Sequence, residues 1–438
     1  MNKTIVYETL IIIIRQGHEN TIINKTLRLT QKRIMKNIKT PIMHKYVHFN
    51  NLLFLFLFLA SCTSSKTLSS SFWDQCDMIA HWEVIDGDSV IVCDADKAVK
   101  EMDVPLDLIA EDLQVIKLDN KAKIDRKSYH AYITDNYIGL SLYNYYPLKL
   151  FKRDGTFLRN IGSMGKAADE YTCISDLQID EKNNRIYILP GDVSDDKRIA
   201  VFDLDGNYLQ NIPLADKAFF GSTIKVYPEK GQIVLAAPIR PKFPQLCIWT
   251  QDLEGNLVQG IPSGKHATYE YSSTLVLSRC HTKQVEVFNI NFINNHEYLY
   301  HYDRTGGRLI PKFHINTAAT GISIYELPSC YIVEELGPTG GTDAVTDKFI
   351  VDKKTLRGCK FKGFITPYGL SLNQYCMLFQ CHNGYFSLIE DGSIISKRIQ
   401  TINMNKLTEQ QCNHLHKLQQ MISKEKEDCH LLFMTKFK

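Results

Sequence analysis

The stretch Phe202-Asp-Leu-Asp-Gly-Asn-Tyr-Leu209 decides the fold of this chain, because its turn recurs along the sequence. The other copies of the turn are Lys152-Arg-Asp-Gly-Thr-Phe157, Asp252-Leu-Glu-Gly-Asn-Leu257, Asp303-Arg-Thr-Gly-Gly-Arg308 and the degenerate Asp352-Lys-Lys-Thr-Leu356. Successive copies start 51, 49, 51 and 49 residues apart, and Glu390-Asp-Gly-Ser393 follows 38 residues after the last. Asp-Gly between strand patterns predicts a hairpin, because glycine accepts the positive φ of a tight turn. The glycines predicted to be structural turn residues rather than ligands are Gly155, Gly206, Gly255 and Gly392.

The segments between these turns read as short strands. Arg185-Ile-Tyr-Ile-Leu189 and Gln232-Ile-Val-Leu235 are rich in β-branched and aromatic residues and are bounded by polar clusters. A second repeat supports the period, since Ile161 to Tyr171 resembles Ile261 to Tyr271 at an offset of 100 residues. A period near 50 residues with about four strands per unit is typical of a β-propeller. The sequence therefore predicts an all-β, six-bladed β-propeller with four-stranded blades.

The motifs around the second turn also resemble a known family. Ile161-Gly-x-x-Gly-Lys…Glu-Tyr171, Ile174-Ser-Asp-Leu-Gln-Ile-Asp180 and the Phe202 to Leu209 stretch are similar to the NHL-like six-bladed β-propeller lipoproteins of gut-type Gram-negative bacteria. The likeness covers roughly residues 80–438 and weakens at the fifth copy, which lacks Asp-Gly. It implies a propeller and a cell-envelope address, and it implies no particular reaction.

A lipoprotein signal is indicated before the propeller. Leu59-Ala-Ser-Cys62 closes the apolar run 52–58 and follows Lys36, Lys39 and Lys45, a pattern that resembles a bacterial lipobox. The run is short for a membrane span, which needs about 20 residues. We expect residues 35–61 to be a signal peptide, Cys62 to carry the lipid, and residues 1–34 to be a start-site extension. The Ser/Thr-rich segment that follows predicts a tether over residues 62–78, with the propeller over residues 79–438.

Charge and the residue after the cysteine bear on location and partners. Residues 1–61 contain nine basic and two acidic residues, which leaves 42 basic and 46 acidic residues in the remainder. That remainder lacks a basic cluster, so we expect no nucleic-acid partner. The expected membrane partner follows instead from the lipid on Cys62. Thr63 rather than Asp follows the cysteine, which favours the outer membrane. No acidic run follows, which favours the periplasmic leaflet over surface display; the oligomeric state is left open.

The end of the sequence predicts a helix and a strand. Lys406 to Lys426 is amphipathic, and Thr408 with Gln411 three residues later fits a capping box. Residues 430–437, His-Leu-Leu-Phe-Met-Thr-Lys-Phe, are strand-like and apolar. We expect this strand to pair with sheet from the N-terminal part of the ring, because such pairing removes an open sheet edge.

The sequence motifs that could indicate phosphate, calcium or other metal binding match their known patterns poorly. Gly162-Ser-Met-Gly-Lys166 has the wrong spacing for a phosphate loop, and Ala167 stands where Ser or Thr is needed. The acidic residues Asp176, Asp180 and Glu181 predict solvated turns, with calcium as the one cofactor alternative. Cys376 and Cys381-His382 fall in a strand-like run and favour buried cysteines over a metal site.

Two functions remain open from the sequence. The first is a non-catalytic binding or scaffold propeller that presents loops to a protein or a glycan. The alternative is a propeller enzyme of the lactonase, lyase or glycan-processing type with its site in the central channel. The absence of a recognisable catalytic motif favours binding, although a fold alone does not decide function.

We expect Cys62→Ala to abolish membrane association, since the variant lacks the thiol that would carry the lipid. The measurement is fractionation of cells that express the wild-type chain or the variant, followed by detergent partitioning of the membrane fraction. Cys412→Ala, in the amphipathic segment predicted near the end of the chain, is the control and should partition like the wild type. Equal membrane retention of Cys62→Ala and wild type would rule out lipidation at this position.

Overall fold

A computed structural model describes residues 72–124, 129–142, 146–191, 198–239, 245–264, 275–277, 288–292, 298–319, 321–336, 345–372, 381–423 and 429–438. The chain divides into two units, Met1–Leu68 and Ser69–Lys438, and all the described residues lie in the second. Within that described part, no helix has the length and apolar character needed to cross a bilayer.

The second unit is the predicted six-bladed propeller, built from sheets whose strands follow one another along the chain. The strands before blade 1 are β1 (Asp77–Met78), β2 (Ala80–Ile85), β3 (Asp88–Asp94), β4 (Glu101–Pro105) and β5 (Gln114–Lys117). Blade 1 contains β6 (Tyr129–Ile133), β7 (Tyr137–Leu142), β8 (Leu148–Lys152) and β9 (Phe157–Ile161). A parallel pair, β10 (Ser163–Met164) and β11 (Glu170–Tyr171), links it to the next blade.

The next four sheets repeat the same antiparallel plan. Blade 2 contains β12 (Ile174–Asp180), β13 (Arg185–Pro190), β14 (Arg198–Phe202) and β15 (Tyr208–Pro213). Blade 3 contains β16 (Thr223–Tyr227), β17 (Gln232–Ala236), β18 (Leu246–Asp252) and β19 (Leu257–Pro262). Blade 4 contains β20 (Leu275–Leu277), β21 (Phe288–Phe292), β22 (Leu299–Asp303) and β23 (Arg308–Asn316). Blade 5 contains β24 (Gly321–Glu326), β25 (Cys330–Leu336), β26 (Val345–Asp352) and β27 (Arg357–Ile365), with β28 (Ser371–Leu372) paired to β27.

Blade 6 closes the ring with strands from both ends of the propeller. Its order is β29 (Cys381–His382), β30 (Tyr385–Asp391), β31 (His430–Lys436) and then β5. Leu431 pairs with Lys117 and Phe433 with Val115, both in antiparallel register. The prediction that the C-terminal strand pairs with sheet from the N-terminal part of the ring is confirmed.

The N-terminal strands run along the outer edges of blades 4, 5 and 6. The hairpin of β2 and β3 joins blade 4 because β3 pairs in parallel with β23, while β1 and β4 both pair with β27 of blade 5. An ion pair supports this arrangement, since Arg308 Nη1 lies 2.9 Å from Asp88 Oδ2. The segment before blade 1 therefore contacts three consecutive blades.

Apolar side chains fill the spaces between neighbouring sheets. Between blades 2 and 3, for example, Ile199 and Leu189 meet Leu235 and the fully buried Trp249. Each strand alternates its side chains between its two faces, so the middle strands of a blade supply apolar residues to both neighbouring interfaces. Blade 2 also contributes Ile186 and Ile188 to the cluster it shares with blade 1.

The repeated turns join the third and fourth strands of their blades. In blade 2 the Gly206 N–H donates to the Asp203 C=O at 3.0 Å, and Asp203 Oδ1 accepts the Asn207 N–H at 2.8 Å. Gly155, Gly206 and Gly255 have φ values of +89°, +83° and +89°. The degenerate copy in blade 5 places Leu356 at φ +60° instead, where the carboxylate of Asp352 accepts hydrogen bonds from Thr355.

The turn predicted at Gly392 is wrong. Asp391 is the N-cap of helix α1 (Gly392–Thr401), its side chain accepts the Ser393 N–H at 2.7 Å, and Gly392 is the first helical residue. An Asp before a helix satisfies a free backbone N–H, so Asp-Gly here starts a helix rather than a hairpin. This helix and α2 (Glu409–Ser423) are inserted between β30 and β31.

Helix α2 matches the amphipathic segment predicted over residues 406–426, of which residues 424–426 lie outside the described part. The capping box is present, since Gln411 Oε1 accepts the Thr408 N–H at 2.9 Å and Thr408 Oγ1 accepts the Gln411 N–H at 3.2 Å. Leu415 and Leu418 are buried against the core that blades 5 and 6 share. Short 3-10 turns lie at Ala95–Lys97, Leu106–Leu108, Asn120–Ala122, Pro228–Lys230 and Met404–Lys406.

The predicted tether over residues 62–78 is wrong for its last seven residues. Residues 72–75 form a helical turn, and Phe72 and Trp73 are only 7% and 5% exposed. Both rings pack in the same core as the helices, edge to face with centroids 5.1 Å apart. Two aromatic side chains buried on this scale outweigh the flexibility that a Ser/Thr-rich composition favours.

We expect Gly155→Ala to destabilise the propeller more than the matched Gly206→Ala. Both changes place a side chain at positive φ, which costs about 1–2 kcal/mol. A Cβ at residue 155 would also lie 2.2 Å from the Lys117 oxygen of the closing strand β5, whereas at residue 206 the nearest atom is 3.4 Å away. Urea unfolding of the two variants measures the difference, and equal losses would contradict the close approach of this turn to β5.

We expect Phe433→Ala to destabilise the whole ring by roughly 3–5 kcal/mol, the usual cost of truncating a buried phenylalanine. Phe433 is fully buried in β31, between Leu388 of β30 and Val115 of β5. Lys436→Ala on the same strand is exposed and serves as the control, with a change within about 0.5 kcal/mol. A loss for Phe433→Ala no larger than that of the control would refute closure through this strand.

Candidate functional site

The first strand of each blade, such as β6, β12 or β16, lies beside the central channel. The turns that join these first strands to the second strands meet at one end of the channel. Strand β12 contacts β6 on one side and β16 on the other, and β29 contacts β6. A cavity of about 700 Å³ lies where these strands turn into the second strands of their blades. Its walls come from blades 1, 2, 3, 5 and 6, namely residues 133–135, 178–182, 225–229, Pro328, 383–385 and 436–438, together with Glu111.

The lining of this cavity combines three kinds of side chain. Carboxylates include Asp135 and Glu229, cations include Lys182 and Lys225, and aromatic rings include Tyr227, Tyr385 and Phe437. A concave site with convergent polar groups and a few apolar surfaces is the usual form of a ligand pocket. Its volume falls within the range of about 300–1,000 Å³ found for such pockets.

Asp176 joins three neighbouring first strands. Its Oδ1 accepts the Tyr132 hydroxyl of β6 at 2.7 Å, and its Oδ2 accepts the Ile224 N–H of β16 at 2.9 Å. Only 2% of Asp176 is exposed, so the prediction that it is a solvated turn residue is wrong. A buried carboxylate is stable there because its oxygens are fully engaged by donors.

Gln178, two residues further along β12, continues this connection to blade 3. Its Nε2 donates to the Val226 C=O at 3.0 Å, and its Oε1 accepts the Val226 N–H at 2.8 Å. The Gln178 amide thus bonds to a backbone N–H and C=O of β16, as a paired strand would, and fills the space between β12 and β16. These hydrogen bonds fix the wall of the cavity between blades 2 and 3.

The carboxylates of Asp180 and Glu181, which the sequence offered as an alternative calcium site, take part in turns. Asp180 accepts the Asn183 side-chain amide at 2.6 Å, and Glu181 accepts the Asn136 N–H and side-chain amide at 2.8 and 2.7 Å. Burial raises the pKa of Glu181, but the donors at Thr134 and Asn136 outweigh it and lower the pKa overall. Among the described residues, no group of three or more His, Cys, Asp and Glu side chains is placed to hold a metal ion.

Among the cations that line the cavity, Lys225 lies on a first strand, β16. It is partly buried in the middle of β16, and no hydrogen bond or ion pair joins its Nζ to any residue that the structure describes. Burial lowers the pKa of Lys225 against the opposing charges of Asp176 and Glu229. An ammonium group in this position gains from an anionic ligand, because a charge is costly to desolvate without a partner.

Two tyrosines of the cavity wall make cation–π contacts with arginine side chains. The Arg304 guanidinium lies 3.7 Å from the ring centroid of Tyr227, and that of Arg153 lies 5.0 Å from the ring centroid of Tyr385. Arg153 also donates to the Thr134 C=O at 3.1 Å. These cation–π contacts restrain the rings at the cavity wall.

The predicted turn glycines lie away from this cavity, and none of them is among the described residues of its wall. The loop after Gly162 is held by Arg198, whose guanidinium donates to the carbonyl oxygens of Ala167, Ala168 and Glu170 at 3.0, 2.6 and 2.8 Å. That arrangement is a structural turn, as the sequence predicted. Cys62 and Cys376, like the side chains of Cys381 and His382, lie outside the described part.

A second group of buried charges lies between blades 4 and 5. Glu326 is 3% exposed, and its two oxygens lie 2.5 Å from His301 Nε2 and 2.6 Å from Lys353 Nζ. Burial raises the pKa of Glu326, but the hydrogen bond and charge of His301 and the charge of Lys353 lower it overall. These charges satisfy one another, and we assign them a role in holding the two blades together.

Sequence reasoning missed the residues that line the channel. The signal was present in the alternation of the first strands, because Asp176, Gln178 and Asp180 alternate with apolar residues in β12, as Lys225 and Tyr227 do in β16. Polar residues on one face of a strand usually indicate a solvated sheet face. In a propeller the same pattern on a first strand indicates the channel instead.

Comparison with known proteins supports the fold. A family model described as DUF5128, a six-bladed β-propeller, matches residues 86–231. No curated protein sequence matches the chain. A candidate exported protein from Bacteroides fragilis NCTC 9343 has a similar structure, with a TM-score of 0.51 and 12% identity over 80% of this chain and 100% of that one. A DUF4221 family member from Bacteroides vulgatus ATCC 8482 gives a TM-score of 0.40 and 12% identity over 75% of this chain and 97% of that one.

These findings define the class of protein. The chain is a six-bladed β-propeller with four-stranded blades, similar over residues 86–231 to the DUF5128 propellers. At 12% sequence identity, the similarity to the solved structure bears on the fold alone. The site must be argued from its own residues.

Proposed function

We propose that this chain is a lipid-anchored protein of the cell envelope whose propeller binds a partner, without catalysis, at the mouth of its channel. The lipobox-like Leu59 to Cys62 and the NHL-like motifs support the envelope address. The outer membrane, facing the periplasm, is the location that Thr63 favours. The observation that carries the binding role is the cavity of about 700 Å³ with Lys225 on its wall, whose ammonium has no hydrogen-bond or ion-pair partner among the described residues.

A glycan fits this site better than the surface of a folded protein. The cavity is concave and its wall is fixed by Asp176 and Gln178, whereas protein partners usually occupy broad and flatter surfaces. Tyr227 and Tyr385 offer rings for sugar faces, and exposed carboxylates such as Asp135 and Glu229 offer acceptors for hydroxyls. Lys225 adds a preference for an acidic sugar, because no residue in the described ranges places a counter-charge in direct contact with its ammonium.

We expect Lys225→Met to weaken binding of oligogalacturonate roughly 10- to 100-fold, since a hydrogen bond to a charged group contributes about 1.5–3 kcal/mol. Isothermal titration calorimetry with di- to tetragalacturonate measures this, and neutral maltooligosaccharides of equal length test the need for the carboxylate. The matched control is Lys397→Met, an exposed lysine of helix α1 that does not line the cavity.

The control should bind within about twofold of wild type, a change of less than 0.5 kcal/mol. Thermal melting of both variants checks that the fold is intact. Equal affinity of Lys225→Met and Lys397→Met, or no oligogalacturonate binding by the wild type, would contradict the acidic-glycan proposal. Binding of a protein that masks Lys225 from chemical acetylation would support the other partner class.

The lowered pKa of Lys225 also favours a second candidate, a lyase or lactonase that uses the neutral amine as a base. A base works best when its pKa lies near the operating pH, and burial shifts this lysine in that direction. The lyase form of this candidate predicts β-elimination of oligogalacturonate. The amine removes the C5 proton, the C4–O glycosidic bond breaks, and the C4=C5 double bond of the product is seen by its ultraviolet absorbance. Binding without any such product supports the non-catalytic proposal.

A further inference from the structure

The segment that precedes the hairpin of β2 and β3 is attached to the outer edge of blade 5 by a very short ladder. Strand β1 pairs Asp77 with Gly358 and Met78 with Arg357 of β27 in antiparallel register. The Arg357 guanidinium also donates to the Cys76 C=O at 2.7 Å, although the two residues are 281 positions apart in sequence. Lys100 Nζ adds a hydrogen bond to the Gln75 C=O at 2.7 Å, and Phe72 and Trp73 of the same segment belong to the core.

One step further along this register, Cys76 stands opposite Cys359. The Ile79 N–H donates to the Leu356 C=O at 3.2 Å, which makes that pair a hydrogen-bonded position of the ladder. Positions alternate in an antiparallel pair, so the Cys76 and Cys359 position is a non-hydrogen-bonded one. In such positions the Cα atoms are about 4.5 Å apart and the side chains approach closely.

This placement suits a disulfide. Disulfides join Cα atoms about 4.4–6.8 Å apart, a range that includes a non-hydrogen-bonded cross-strand pair. Both side chains are buried in the same core, with exposures of 1% and 0%. The Cys76 thiol donates to the Phe72 C=O at 3.5 Å, and its interaction with the facing Cys359 thiol lowers the pKa of Cys76 and raises that of Cys359.

Two other buried cysteines show a different environment. Cys247 in blade 3 donates its thiol to the Ile261 C=O, and Cys93 in β3 packs among apolar side chains of blades 4 and 5. Burial raises the pKa of each to about 12, which is typical of inert core thiols. Cys76 and Cys359 instead form a facing pair between two separate segments of the chain.

We propose that Cys76 and Cys359 form a disulfide that fastens the N-terminal segment to blade 5 when the protein is in an oxidising compartment. The oxidant is a small or protein disulfide. The Cys76 thiolate attacks one of its sulfurs and forms a mixed disulfide, and the Cys359 thiolate then attacks the Cys76 sulfur. One S–S bond forms in the protein, the oxidant leaves as two thiols, and these take up the two electrons and the two protons.

The burial of both thiols dictates when this reaction occurs. An oxidant reaches Cys76 only before residues 72–78 dock or when they detach from β27, which breaks the two pairs of β1. Oxidation therefore proceeds readily during refolding and slowly in the folded protein. Once formed, the bond closes a loop that spans blades 1 to 4 and most of blade 5, and it restrains the unfolded chain accordingly.

The test uses the full chain, reduced and unfolded in dithiothreitol and urea, then refolded with oxidised glutathione. Free thiols are blocked with iodoacetamide and tryptic peptides are analysed without reduction. We expect a peptide of residues 67–97 linked to residues 358–360, with a mass lower by two hydrogens than the sum of the two. Because residues 67–97 also contain Cys93, the matched control Cys93→Ala must retain the link and Cys76→Ala must lose it.

A second measurement needs no variant. The oxidised protein should melt at a higher temperature than the same protein reduced, and the folded protein should form the link many times more slowly than the refolding one. Recovery of Cys76 and Cys359 both fully alkylated after refolding with oxidised glutathione would overturn the proposal. A link from Cys359 to Cys93, or one that survives Cys76→Ala, would overturn it as well.

Discussion

The pairing of β31 with both β30 and β5 is the interaction on which the rest of the structure depends. Every blade of the propeller has two apolar faces and needs a neighbour on each side. The clusters between sheets, such as the one around Trp249, satisfy that need for blades in the middle of the sequence. Blade 6 has neighbours on both sides only because its third strand and its fourth strand come from opposite ends of the propeller. Among the described residues, an apolar cluster lies between each blade and the next around the ring.

Much of the architecture could be predicted from local chemistry. Asp203-Leu-Asp-Gly-Asn identified a turn because the aspartate accepts from the asparagine and the glycine takes the positive φ, and both interactions are local. The same reasoning failed at Gly392, because Asp-Gly also starts helices and the sequence does not show which partner the backbone will find. At Leu356 a turn formed without glycine, since Asp352 and Thr355 stabilise it. The spacing of about 50 residues between turns was therefore a better predictor of the fold than any single Asp-Gly dipeptide.

The cavity could not be predicted in the same way, because it is made by residues that are distant in sequence. Lys225 reads as an ordinary polar position of a strand until the ring places β16 beside the channel. Asp176 reads as a solvated acid until β6 and β16 bring a tyrosine hydroxyl and a backbone N–H to it. The tether was misjudged for a related reason, since the burial of Phe72 and Trp73 depends on blades 5 and 6. In each case composition described the segment and tertiary contact decided its role.

Closure by β31 and β5 also determines the order in which the molecule can fold. Thr435 donates to the Glu111 carbonyl across 324 residues of sequence, whereas the hairpins of each blade join neighbours. The entropic cost of closing a loop grows with its length, so we expect the hairpins within blades to form first and the joining of the two ends to come late. Until then the chain is an open arc with an unpaired strand at each end, a state in which edges are exposed to other chains. The feature that makes the finished ring stable thus makes its assembly slow, and the time spent as an arc is the interval in which this protein is vulnerable to aggregation.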